Sequence, residues 1–256
     1  MERPSIPQRL EPDLPIEAVQ REVQDGSLQG LTPEQEERFR SQLSKIWDRL
    51  ETFDKTAEWN DIILSRTKDE WLSQITKHTP VDVKLMLVLP DPPTPAQIKL
   101  LPWSKTTDGG VFAWCTKPNG KQDCTKETLY VYIGSASKCH GGLDFRKRYM
   151  LAQFTTRHDE GLKVKIKQLD LDSKGEFKRL FRVSLKNGPD ADVMDVRELV
   201  VLARLVLMIW LGAVNGRLKA KSQDLVPWRL EKIEYMGLAT DNPLMARLNK
   251  RGGTKK

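Results

Sequence analysis

The sequence is poor in the features that build disulfide frameworks and membrane spans. It has 3 cysteines in 256 residues, and this odd number, at Cys115, Cys124 and Cys139, does not make a paired framework. The longest apolar run, Leu199 to Val214, contains Arg204 and is shorter than the roughly 20 residues that a membrane-spanning helix needs. The N-terminus lacks the charged and then apolar pattern of a secretion signal. We therefore expect an intracellular protein, nuclear or cytoplasmic, that is not secreted and contacts no membrane.

Several common catalytic and metal-binding signatures are also missing. The three histidines, His78, His140 and His158, are scattered, and none has a partner at metal-ligand spacing. The chain has no Walker loop, no dinucleotide-binding fingerprint, no Gly-x-Ser-x-Gly nucleophile elbow and no zinc finger. These absences exclude the classes of enzyme and binding protein that depend on those motifs.

Positive charge is confined to the C-terminal two thirds of the chain. Residues 1–80 carry 11 Lys and Arg against 16 Asp and Glu, whereas residues 81–256 carry 31 against 19, so a net −5 and a net +12 make up the total of +7. Such an excess favours a phosphate-bearing partner, because cations that neutralise phosphates release counterions. A solvated basic surface that keeps the protein soluble would have the same composition.

Residues 32–78 show the pattern of a helical hairpin. Thr32-Pro33-Glu34-Gln35 offers an N-cap, a first-turn proline and a capping-box glutamine. Apolar residues then recur at intervals of three and four: Phe39, Leu43, Ile46, Trp47, Leu50 and Phe53, followed by Trp59, Ile62, Ile63, Trp71, Leu72 and Ile75. The partner of these apolar faces is the following domain, a second copy of the chain or another protein. Residues 1–31 have little hydrophobic period and predict a flexible arm.

A strand and a proline-rich connector are predicted next. In residues 81–89, Val or Leu occupies every second position from 81, which is the two-residue period of a half-buried strand. The prolines of segment 90–95 then argue against regular structure. We therefore assign residues 81–108 to a strand and connector that separate the helical extension, 32–80, from the domain that follows.

The remaining residues predict a small α/β sandwich. Strands near 111–115 and 129–133, joined across Asn119-Gly120, form an antiparallel hairpin. A helix is predicted at about 143–154, further strands at 163–167 and 180–185, and a long buried helix at 193–214. This order gives an α+β fold with a mostly antiparallel sheet over residues 109–216. Residues 217–256 form a C-terminal extension with a basic tail.

The most informative segment is Leu129-Tyr130-Val131-Tyr132-Ile133-Gly134, followed by Gly142-Leu143-Asp144-Phe145-Arg146. Together with Gly110-Val111-Phe112, it resembles the GIY-YIG nuclease domain over about residues 105–216. Fungal members with an insertion before the second tripeptide, here 116–128, and a tail with Asn-Pro-Leu, here 242–244, are the most similar. The resemblance implies an endonuclease that hydrolyses phosphodiester bonds of nucleic acid, DNA above all, with one Mg²⁺.

The resemblance also assigns roles to individual residues. It implies that Tyr132, with Tyr130 on the same strand face, positions or activates the nucleophile and that Arg146 stabilises the phosphate. We assign the metal to Glu198, an acidic residue inside the long helix, because the family position of the glutamate holds Arg204. The two tripeptide motifs contain Gly110, Phe112, Ile133 and Gly134. Further nucleic-acid contacts are expected from Lys147, Arg148, Arg157 and the alternating Lys163, Lys165 and Lys167, which as a strand would project from one face.

Two positions depart from the family pattern and leave three hypotheses open. Phe112 stands where the family has a tyrosine and brings no hydroxyl, and Arg204 stands where the helix register expects the glutamate. The first hypothesis is a metal-dependent endonuclease, and the second is a catalytically impaired descendant that binds nucleic acid without cutting it. The third is a scaffold whose helices in 32–78 recruit a protein partner or a second copy.

Overall fold

A four-stranded sheet forms the centre of the fold. Its strands are β1 (Gly109–Thr116), β2 (Leu129–Ala136), β3 (Glu176–Val183) and β4 (Tyr235–Gly237), in the order β3-β1-β2-β4. Strand β1 pairs antiparallel with both β2 and β3, whereas β4 pairs parallel with β2. The predicted antiparallel pairing of β1 and β2 is therefore confirmed, as is the α+β fold class with a mostly antiparallel sheet. The turn expected at Asn119-Gly120 does not lead directly into β2, because Pro118 pairs with Leu171 and the Asn119 N–H donates to the Asp170 carbonyl oxygen.

The computed structural model describes residues 30–120, 128–137, 141–155, 161–184, 193–214, 225–239 and 244. The chain divides into two units, Met1–Gly30 and Leu31–Lys256. The arm predicted at residues 1–31, most of the predicted 116–128 insertion and the basic tail lie largely outside the described residues.

Helices precede, interrupt and follow the strands. The bounds are α1 Pro33–Thr52, α2 Ala57–Leu64, α3 Lys68–His78, α4 Val81–Leu87, α5 Pro95–Leu100, α6 Gly142–Thr155, α7 Gly161–Gln168 and α8 Val193–Trp210. A short 3₁₀ turn, Leu230–Lys232, precedes β4. Within the described residues, no helix is both long enough and apolar enough to span a membrane.

Helix α1 begins where the capping box predicts. The Thr32 hydroxyl accepts from the Gln35 backbone N–H, and the Gln35 side chain accepts from the Thr32 N–H. Two backbone donors that the first turn leaves open are thereby satisfied. The apolar stripe that follows is buried at Phe39, Leu43, Ile46, Trp47 and Leu50, so the helical period read from the sequence is the one that the fold uses.

Two predicted strands are wrong. Residues 81–87 form α4, in which Val83, Met86 and Leu87 are buried at helical spacing, and residues 161–168 form α7, which buries Ile166. Short runs that mix Val, Leu, Ile and Lys fit both periods, and the neighbouring helices decide in favour of α-helix. The proline-rich segment also contains regular structure, because Pro95 occupies the first turn of α5, a position that needs no N–H.

The sheet separates two hydrophobic cores. On one face, which we name the α8 face, Val111, Ala113, Val131 and Ile133 pack against α8. The opposite face, the α6 face, carries Phe112, Trp114, Tyr130 and Tyr132 with Leu143 and Met150 of α6 and Ile166 of α7. A β-bulge shifts the register of β3 against β1, from Val111↔Phe181 to Phe112↔Arg179. Leu180 and Phe181 consequently both pack in the core of the α8 face.

The N-terminal helices belong to the core of the α8 face. Phe39 of α1 stacks on Trp210 of α8 with ring centroids 4.9 Å apart, and Trp71 and Ile75 of α3 are in the same cluster. Of the three partners left open for the helices of 32–78, the following domain is therefore the one that covers their apolar faces. The helical extension and the sheet share one core, without the boundary expected between about 80 and 108.

Candidate functional site

Three of the predicted site residues share the α6 face. Tyr130 and Tyr132 of β2 alternate with Val131 and Ile133, so both tyrosine rings pack beside the core beneath α6. Arg146 lies on α6, between Leu143 and Met150, whose side chains are both buried in that core. Neither tyrosine hydroxyl has a hydrogen bond to a described residue. The two strand hydroxyls and the helix guanidinium thus belong to one layer of the molecule.

Arg146 is a half-buried cation without a counter-charge among the described residues. Its Nε is buried and has no hydrogen-bond partner there. The guanidinium carbon lies 5.6 Å from the ring centroid of Tyr149, one turn further along α6. A cation–π contact of this kind offsets only part of the cost of removing a guanidinium from water. The side chain is therefore held in place, and none of the described residues neutralises its charge.

Lys163 is a second cation of this kind. Its side chain begins on α7, which packs through Ile166 into the core of the α6 face. Only 6% of Lys163 is exposed, and its Nζ has no hydrogen-bond partner among the described residues. Unpaired buried ammonium groups are rare because desolvation disfavours the charge. The helical layer over this face thus contains two positive side chains, each with a nitrogen that has no hydrogen-bond partner among the described residues.

Lys147, unlike its neighbour Arg146, packs against the rings of Trp103 and Phe177. Its Nζ lies 5.0 Å from the ring centroid of Trp103 and 5.3 Å from that of Phe177. Both rings also contact Phe112 edge-on or tilted, at 6.5 Å and 5.4 Å between centroids. Lys147 therefore fastens α6 to an aromatic cluster, and phosphate contact would require it to leave two rings.

The glycines of the two tripeptides are needed for close packing. A Cβ on Gly110 would lie 2.1 Å from the Phe181 carbonyl oxygen, and a Cβ on Gly134 would lie 2.3 Å from Cζ of Phe112. Phe112 is fully buried, so the position where the family has its first tyrosine is filled by an aromatic packing group. Ile133 is likewise buried, but on the α8 face.

Glu198 is on the other side of the sheet from Tyr132. It belongs to α8, whose next residues, Leu199 and Val200, are buried in the core of the α8 face. Its carboxylate accepts a 3.5 Å hydrogen bond from the Ser65 hydroxyl, at the end of α2. The structure therefore does not bring Glu198 together with Tyr130, Tyr132 or Arg146.

The expected Mg²⁺ does not fit the residues that the structure describes. Among them, no group of three or more His, Cys, Asp or Glu side chains is placed to hold a metal ion. The single carboxylate implied by the family resemblance, Glu198, faces Ser65. Cys115 offers no nucleophile either, because burial raises the pKa of its thiol to about 12. We therefore assign no chemical step to a metal or to a thiolate.

Arg204 has a structural role at the edge of β2. Strand β4 pairs with β2 along Leu129, Tyr130 and Val131, and no described strand pairs with the edge of β2 beyond them. The Arg204 Nε donates a 3.1 Å hydrogen bond to the Ile133 carbonyl oxygen at this edge. The Arg204 side chain, which extends from α8, thus supplies the hydrogen-bond donor that a neighbouring strand would otherwise provide.

The remaining expected nucleic-acid contacts are dispersed. The ladder of Lys163, Lys165 and Lys167 is wrong, because α7 is a helix and successive residues turn by about 100°. Lysines two residues apart on it point in directions about 200° apart, so Lys165 is turned away from Lys163 and Lys167. Lys163 is also buried, whereas Lys167 is exposed. Arg148 is exposed on α6, as a phosphate contact requires. Arg157 lies outside the described residues.

Sequence reasoning missed two side chains of this region. Phe145 and Tyr149 project from the solvent side of α6, 47% and 44% exposed. The signal was present in the sequence, because Leu143 and Met150, seven residues apart, define the buried side of the helix, and Phe145 and Tyr149 are turned away from both.

Comparisons of the chain with protein-family models, with curated proteins and with solved structures found no match.

Proposed function

We propose that this protein binds nucleic acid through the helical layer of the α6 face, with Arg146 as the central phosphate contact. The observation that carries the proposal is the Arg146 side chain, half-buried on the same face as the Tyr130 and Tyr132 rings, whose Nε has no hydrogen-bond partner among the described residues. A planar guanidinium fits phosphate oxygens in a bidentate manner and stays charged at every physiological pH. A phosphodiester would supply the acceptor that the Nε lacks among the described residues.

The cations of the neighbouring strand support this assignment by contrast. Arg182 of β3 forms an ion pair with the buried Asp108, and Lys178 forms one with Glu176 at 2.8 Å. These two cations of β3 thus have acidic partners nearby. Arg146 and Lys163 have none among the described residues. The net charge of +12 over residues 81–256 adds a long-range attraction for a polyanion.

Phosphodiester cleavage is the second candidate. It is favoured by the placement of Tyr132 and Arg146 in one layer, as the resemblance to GIY-YIG nucleases implies. It is weakened by the Phe112 ring, which brings no hydroxyl, and by Glu198, which lies on the α8 face. Binding without cleavage is therefore the function that we assign first.

The test measures binding and cleavage on the same preparation. Labelled DNA and RNA are titrated with the protein at increasing salt, and supercoiled plasmid is incubated with Mg²⁺ and, separately, with a chelator. We expect retention of nucleic acid at low salt, a steep loss of affinity with salt and no nicking. Because each phosphate contact releases about one counterion, Arg146→Ala should lower the slope of log affinity against log salt by about 1.

A matched control is Arg40→Ala. Arg40 carries the same charge, its side chain is 63% exposed, and it lies on α1, on the other side of the sheet. We expect its removal to leave affinity nearly unchanged. Equal losses for both variants would reduce the proposal to non-specific attraction. Metal-dependent nicking that disappears in Arg146→Ala would instead establish the endonuclease.

A further inference from the structure

The two exposed aromatic side chains of the described residues lie side by side. Phe145 and Tyr149 are 47% and 44% exposed, and the other large apolar side chains with comparable exposure are aliphatic, namely Leu64, Leu100, Leu169 and Met236. The two rings are stacked, with centroids 6.2 Å apart and planes at 14°. One turn of α6 separates them, which is the spacing that aligns side chains along a helix.

Positive charge flanks this aromatic pair. The guanidinium carbon of Arg146 lies 5.6 Å from the Tyr149 ring centroid. Arg148 is exposed on the same helix, three residues after Phe145, and therefore on the same side as the rings. The surface of α6 thus presents two parallel rings between two arginines.

We propose that Phe145 and Tyr149 form a stacking platform for unpaired nucleobases, so that the preferred ligand is single-stranded nucleic acid. This inference rests on the proposed nucleic-acid binding and adds the class of ligand. Single-strand-binding surfaces combine aromatic rings that take successive bases with cations that follow the phosphates. A duplex presents base edges and phosphates but hides the base faces, so it cannot use exposed rings in this way.

Charge complementarity distinguishes this ligand from an apolar protein segment. A hydrophobic partner would have to desolvate the Arg146 and Arg148 guanidinium groups without neutralising them, which is costly. A single strand supplies both a ring face for each aromatic side chain and a phosphate for each arginine. DNA and RNA share this chemistry, and the experiment separates them.

The experiment compares four labelled probes of equal length and charge per strand. They are a single-stranded DNA, its RNA equivalent, the matching DNA duplex and a single strand that lacks bases. We expect the two base-containing single strands to bind at least about tenfold more tightly than the duplex or the abasic strand. Phe145→Ala and Tyr149→Ala should each weaken single-strand binding by roughly five- to a hundredfold, in line with measured stacking contributions.

Two variants serve as controls. Tyr149→Phe keeps the ring and should keep the affinity, whereas Leu100→Ala removes an exposed apolar side chain, 53% exposed on α5, and should also have no effect. Circular dichroism and thermal melting check that the alanine variants fold. Because both aromatic side chains face solvent, we expect melting temperatures close to that of the unmodified protein.

The outcomes separate this inference from the function on which it rests. Equal binding of duplex, abasic and base-containing strands, unchanged in Phe145→Ala, would overturn the stacking platform and leave phosphate binding intact. Absence of binding to any probe would overturn both. If the aromatic variants abolish a self-association seen by sedimentation velocity and leave nucleic-acid affinity unchanged, the patch is a contact between copies and the inference fails.

Discussion

The Phe112 ring lies directly over Gly134, its partner across the hairpin of β1 and β2. A Cβ at Gly134 would come within 2.3 Å of Cζ and within 2.9 Å of both ring carbons beside it. Phe112 and Gly134, the last residues of the two tripeptide motifs, therefore pack directly against each other. The glycine is required because the ring occupies the space of a side chain.

Gly134→Ala should destabilise the protein by about 1–3 kcal/mol, the usual cost of forcing extra volume into a packed core. The ring cannot easily move, because Phe112 is fully buried against Trp103 and Phe177. Urea unfolding monitored by tryptophan fluorescence measures the change. Phe112→Leu in the same chain should recover part of the loss, and strict additivity of the two substitutions would contradict the contact.

Phe112→Tyr introduces the residue that the resemblance to GIY-YIG nucleases implies at this position. We expect it to lower the free energy of unfolding by about 1–3 kcal/mol, because the new hydroxyl is placed in an aromatic cluster and lacks a partner. No gain of plasmid nicking with Mg²⁺ should accompany it. An active and equally stable variant would show that this position lines a working site.

Arg204→Met should destabilise the protein by about 1–3 kcal/mol, since the Ile133 carbonyl loses its donor at an open strand edge. Methionine keeps much of the apolar stem, so packing on α8 changes little. Nucleic-acid affinity should stay the same, because Arg204 lies on the α8 face. Weaker nucleic-acid binding with unchanged stability would show that Arg204 binds an anion.

The free energy of unfolding should decrease on acidification because His78 becomes protonated more readily in the unfolded chain. Burial, followed by the charge of Lys77, lowers the pKa of His78 from its ordinary value of 6.5. The unfolded chain therefore takes up the proton first, so the contribution is complete above pH 6.5 and is lost as pH falls through the lowered folded pKa. Thermal melting between about pH 8 and about pH 5 measures this. His78→Gln should reduce the dependence of the melting temperature on pH. If that dependence is unchanged in the variant, other titratable groups are responsible for it.

Local signals in the sequence were sufficient for much of the fold. Strands β1 and β2 were predicted too, although their pairing joins residues as far apart as Gly110 and Ala136. The capping box at Thr32, the apolar stripe of α1 and the helix that carries Arg146 follow from contacts within a few residues. Such features depend on backbone geometry and short-range hydrogen bonds, which the sequence specifies directly. The placement of Tyr130 and Tyr132 on one strand face is of the same kind.

Helix or strand could not be decided locally at α4 and α7. Both segments mix apolar residues and lysines over seven or eight positions, which is too short to separate a period of 2 from one of 3.6. Segment α4 forms a helix because that conformation buries Val83, Met86 and Leu87 together in the core shared with α1. The lysine ladder was lost in α7 for the same reason.

The sequence by itself determined which side chains share a face of each element, because that depends only on the local repeat. It placed Tyr130 with Tyr132 and it set the start of α1. Only the tertiary structure decided which faces meet. It set Glu198 on the opposite side of the sheet from Tyr132, filled the Phe112 position with packed rings and left the Arg146 guanidinium without an acidic partner among the described residues. These relationships join residues distant in the chain, and they arise from burial of whole faces, which no local repeat encodes.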